Sequence, residues 1–120
     1  MPYYMMQFSY TKEAVANLIQ NPQNRTEVVR PAFEELGITI HSSWLEFGEY
    51  DVLLIVEAPS NVQAAAISMA VTAGGAPQNF KTTPLMTWEE GVEAMRAAGG
   101  SGYQPPSSKP RANTKGRGLM

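Results

Sequence analysis

Residues 44–59 read WLEFGEYDVLLIVEAP. The segment VLLIV at 52–56 is apolar at both parities, which is the pattern of a strand buried on two faces rather than one. The flanking runs, ITIHSSWLEF at 38–47 and YDVLLIVEA at 50–58, are rich in β-branched and aromatic residues and read as paired strands. Gly48-Glu49 between them predicts a two-residue type II′ connection with φ > 0 at Gly48. That turn sets a register in which Phe47 faces Tyr50, Glu46 faces Asp51, Leu45 faces Val52, Trp44 faces Leu53 and His41 faces Val56. Tyr50 then joins the side of Leu45, Phe47 and Val52, which reads as core, and His41 lies on that same side.

Outward from the hairpin, YYMMQFSY at 3–10 predicts a first strand that is also partly apolar on both faces. Thr11 can cap a helix whose Ala14, Val15, Leu18 and Ile19 share one face, interrupted by Asn21-Pro22. Asn24 and Glu27 have capping-box spacing before a second helical stripe of Val28, Val29, Ala32, Phe33 and Leu36, closed by Gly37. Pro31 predicts a kink there, or a helix that properly starts at Pro31. Ser60 and Gln63 open an alanine-rich helix that ends at Gly74-Gly75. Residues 78–86 make a weaker strand, confined by Pro84 to an edge or an end. Thr87 and Glu90 then cap a short helix with Trp88, Val92 and Met95 on one stripe.

This order specifies an α+β fold: a ferredoxin-like βαββαβ sandwich with a four-stranded antiparallel sheet and helices on one face. The doubly apolar strand leaves the other face to be covered. A second copy, sheet against sheet, is the economical solution and makes a dimeric α+β barrel. Residues 1–98 form this domain. Residues 99–120 form a basic Gly/Pro/Ser-rich tail, expected to be disordered in isolation.

Composition narrows the chemistry. The chain has no cysteine and one histidine, so cysteine nucleophiles, thiolate metal sites and multi-histidine sites within one chain are excluded. Neither a metal nor a cofactor is called for. The N-terminus does not read as a signal peptide and no run reaches membrane-spanning length, so a cytoplasmic, membrane-free protein is expected. Residues 1–98 carry five Lys/Arg against eleven Asp/Glu, a balance of −6, whereas 99–120 carry Lys109, Arg111, Lys115, Arg117 and no acid. Nucleic acid is therefore not an expected partner of the folded part.

The sequence resembles the GYD domain family. The carrying residues are "SYT" at 9–11, Arg25, "LG" at 36–37, "FGEYD" at 47–51 with its signature Gly48, Tyr50 and Asp51, "EAP" at 57–59, and "TTP" with "TWEE" within 82–90. The resemblance spans roughly residues 3–96. It implies the dimeric α+β barrel and a homodimer or higher homo-oligomer, and it leaves activity open.

Four residues are candidates for ligand contact: His41, Trp44, Tyr50 and Asp51. His41 is the side chain that titrates near neutrality, Asp51 and Glu46 could act as an acid/base pair, and the aromatics could line a pocket for a flat ligand. For each, a structural role at a hairpin tip, core or interface is the favoured reading. Three functional readings stand. The first is a homo-oligomeric binding module for a small apolar ligand or protein partner. The second is a cofactor-independent oxygenase or isomerase using the cavity between sheet and helices. The third is a scaffold component recruited through Tyr103, Lys109, Arg111, Lys115 and Arg117. No catalytic residue is assigned.

Overall fold

The structure, a computed structural model, describes residues 1–106. Lys109, Arg111, Lys115 and Arg117 of the tail lie outside the described residues. The element order is β1 (Tyr3–Tyr10), α1 (Lys12–Gln20), α2 (Arg25–Glu35), β2 (Thr39–Leu45), β3 (Val52–Glu57), α3 (Asn61–Ala73), β4 (Pro77–Leu85) and α4 (Trp88–Gly99). Residues 1–86 form one compact unit, and α4 belongs to another.

In the first unit the strands make one antiparallel sheet in the order β2-β3-β1-β4. This is the ferredoxin-like α+β arrangement expected, with β4 and its Pro84 at an edge. Strand alternation divides the sheet into two faces. Tyr4, Met6 and Phe8 of β1, Val52, Leu54 and Val56 of β3, and Ile40 of β2 are buried with Phe33 of α2 and with Ala64 and Ile67 of α3. The opposite parity, including Tyr3, Met5, Leu53 and Ile55, is only half-buried.

The cap residues act as expected, but neither Asn24–Glu27 nor Ser60–Gln63 closes a capping box: Glu27 bonds Arg30, and Gln63 Oε1 accepts from Ser60 Oγ. Thr11 Oγ1 accepts the Ala14 N–H, Asn24 Oδ1 accepts the Thr26 N–H and Ser60 Oγ accepts the Val62 N–H. In the second unit Thr87 and Glu90 form a reciprocal capping box. The helix α2 runs from Arg25 through Pro31 rather than starting there, because tertiary burial of Phe33 outweighs one lost backbone bond. The expected buried stripe of α1 is not realised: Val15 and Ile19 are exposed. The core residues contributed by helices come from α2 and α3, which already cover that face of the sheet.

The hairpin departs from expectation at both ends. Leu45 pairs with Val52 and Trp44 with Leu53, as the turn predicted, but the connection is a loop over residues 46–51, not a two-residue turn. Gly48 is not among the residues with positive φ, so the type II′ assignment is overturned. The longer loop spreads the reversal over more residues and removes the need for a left-handed one. Phe47 is fully exposed at 102% and Leu45 is exposed too, so this side of Tyr50 is not core. Further along, Ile40, not His41, faces Val56, because a bulge falls between Ile40 and Ser42. A second bulge lets Asn79 adopt φ 53° opposite the end of β1, and Phe80 stacks on Phe8 at 5.2 Å between centroids.

The glycine that requires its conformation is Gly37, at φ 75°, where an added Cβ would lie 3.1 Å from Pro59 Cγ. Gly37→Ala is expected to cost about 1–3 kcal/mol, because a left-handed backbone and a close contact coincide. A Cβ at Gly48 meets nothing within 4 Å, so Gly48→Ala is expected within about 0.5 kcal/mol of the parent. Urea midpoints of the two variants check the contrast, and equal midpoints would refute it.

Candidate functional site

The helix-covered side of the sheet carries a cavity of about 300 Å³, open to solvent, between α2, α3 and the strands. Its floor is Val52 and Leu54 of β3. One wall is Val29, Ala32 and Phe33 of α2, and the facing wall is Ile67, Ala70 and Val71 of α3. These positions recur at helical spacing, so each helix turns one apolar stripe toward the space. The small side chains Ala32 and Ala70 leave the space between the walls open, as a larger residue at either site would fill it.

Polar groups come from Tyr10, at the end of β1, and from Arg25 and Thr26, at the start of α2. Thr26 Oγ1 is engaged with Ser43 Oγ of β2 at 2.6 Å. Arg25 Nη1 donates to Gln23 Oε1 at 3.1 Å, and among the described residues Arg25 forms no ion pair. Burial pushes the Tyr10 phenol above its ordinary range; the Arg25 charge pulls it down and the Asp51 charge pushes it up. The phenol therefore stays protonated at neutral pH, and the guanidinium stays charged. The cavity offers two hydrogen-bond donors in an otherwise apolar wall.

The sequence candidates lie elsewhere. Among the described residues, none of His41, Trp44, Tyr50 and Asp51 lines this cavity. His41, pushed out by its bulge, meets Glu57 Oε1 through Nε2 at 2.9 Å and stacks on Tyr3 at 5.3 Å between centroids. It sits with them on the half-open face of the sheet. Trp44 lies on that face opposite Leu53 and is 64% exposed.

Asp51 ties the hairpin to β1. Its Oδ2 accepts the Tyr10 N–H at 2.9 Å and its own N–H donates to the Phe8 carbonyl at 2.9 Å. Ser9 Oγ adds a bond to the Glu49 carbonyl at 3.1 Å. The opposing carboxylate, Glu46, accepts from Gln7 Nε2 at 3.2 Å instead. The two acids thus tie the loop to two points on β1, and Asp51 holds Tyr10, which lines the cavity. Asp51→Ala is expected to destabilise by about 1–3 kcal/mol, since the Tyr10 N–H loses its charged acceptor at a part-buried site. An unchanged urea midpoint, or unchanged exchange of the Tyr10 amide, would contradict this.

Tyr10 was readable as an aromatic strand end and Arg25 as an unpaired cation opening a helix, but nothing local placed them together. Among the described residues no group of three potential metal ligands is present, and no helix is long and apolar enough to cross a membrane.

A family model described as "GYD domain" matches residues 4–95. None of the curated proteins compared with the chain matches it. Among solved structures, one titled "crystal structure of FFRP-DM1" aligns with a TM-score of 0.44 and 14% identity, over 72% of this chain and 100% of that one.

Proposed function

The chain belongs to the GYD domain family, and on that premise we propose that it is a homodimeric binding module that holds a small apolar ligand between sheet and helices. The observation that carries this reading is the cavity of about 300 Å³ with apolar walls, at the small end of the range for ligand pockets. Binding is favoured over turnover because the polar groups of the wall are a protonated phenol and a guanidinium, which donate hydrogen bonds but supply no base.

Dimerisation is proposed through the other face of the sheet. Met5, Leu53 and Ile55 form an apolar area at the centre of that face, with exposed Trp44 beside Leu53 on β2. A second copy stacked on it would bury all of them and would also cover the His41–Glu57 pair. Native mass spectrometry of freshly purified protein tests both halves together. A two-chain mass with a retained small molecule is expected; a ligand-free monomer would oppose the proposal.

A further inference from the structure

We infer that the cavity selects a small organic monoanion, an apolar or aromatic body bearing one carboxylate, with the carboxylate held by Arg25 and the Tyr10 hydroxyl. The inference rests on the ligand-binding reading above and deepens it. Val29, Phe33, Ile67 and Val71 give the body an apolar bed, and the polar groups gather on Tyr10 and the first residues of α2.

Three observations select the charge. Arg25 carries the one positive charge on the cavity wall and has no carboxylate partner among the described residues. Its planar fork suits a carboxylate, which it can grip by two parallel bonds while the Tyr10 hydroxyl donates a third. The nearby Asp51 charge, which reaches Tyr10, opposes a doubly charged head such as a phosphate monoester. A neutral ligand would fill the apolar bed but offer the guanidinium no counter-charge.

The test uses the full chain with labelled methyl groups and two carboxylates, phenylacetate and octanoate. Their neutral counterparts, phenylacetamide and octanamide, are titrated in parallel by NMR. The carboxylates are expected to shift the methyls of Val29, Ile67 and Val71 and to saturate at least tenfold more tightly than the amides. Arg25→Gln is expected to bring carboxylate affinity down to that of the amides, and Arg25→Lys to fall between, since it keeps the charge and loses the fork. Ala70→Phe fills the cavity and is expected to abolish all binding; if it fails to fold, Ala32→Leu serves the same purpose.

Equal affinity for acid and amide, or carboxylate binding untouched by Arg25→Gln, would overturn the inference while leaving an apolar ligand cavity standing. Absence of any methyl shift at millimolar concentration with all four compounds would overturn both. Binding that survives the cavity-filling variants would likewise remove both, because the ligand would then sit elsewhere.

Discussion

With the proposed sheet-to-sheet dimer, Leu53→Lys is expected to yield a monomer at micromolar concentration where the parent is dimeric. Leu53 lies in a central strand, paired with Gln7 on one side and Trp44 on the other, on the face of the sheet that the helices leave open. Its neighbours at the same parity, Met5 and Ile55, make the middle of that face apolar. Sheet-on-sheet stacking would enclose a lysine there among Met5, Ile55 and Trp44. An unpaired charge in such a place costs about 3–5 kcal/mol, a weakening of roughly a hundredfold to several thousandfold in dissociation constant. The core on the helix side does not include Leu53, so the monomer should keep its fold. Light scattering with circular dichroism reads both quantities. A dimeric mass retained by the variant, or a folded monomer of the parent protein, would overturn the stacking arrangement.

Phe33→Ala is expected to be the most destabilising single truncation, by about 3–5 kcal/mol. Phe33 is 2% exposed and belongs to the largest fully buried side chains. It joins α2 to the sheet, and its carbonyl accepts the N–H groups of Leu36 and Ile38 where the helix gives way to β2. It also borders the cavity, so the space left by the ring merges with one already present, and collapse cannot heal it. Domains of this size have total stabilities of about 5–15 kcal/mol, so the variant approaches unfolding at 37 °C. Ile19→Ala provides the comparison: it removes a similar apolar side chain from a site 74% exposed and is expected to change stability by less than about 0.5 kcal/mol. Urea denaturation of the two variants should separate them widely, and similar midpoints would show that Phe33 is not the keystone of this core.

What the sequence by itself determined is what local periodicity and capping chemistry can encode. The doubly apolar run at 52–56 specified a strand, and β3 forms there, with one face buried and the other half-buried. Alternation assigned Leu54 and Val56 to one face and Leu53 and Ile55 to the other, because successive side chains in a strand must point opposite ways. Thr11, Asn24, Ser60 and Thr87 each begin a helix because their side-chain oxygens reach N–H groups only two or three residues ahead. Only the tertiary structure decided the rest. The reversal at 46–51 is held by Asp51 bonding to β1, a strand forty residues earlier, so local glycine chemistry did not set its turn type. The bulge beside His41 has the same cause: Tyr3 and Glu57, on two other strands, receive the ring, and no pattern within β2 announces them. The cavity is the extreme case, since Tyr10, Arg25 and the stripes of α2 and α3 meet only once the helices lie on the sheet. A void belongs to the space between elements, and its size depends on how closely Ala32 and Ala70 let them approach.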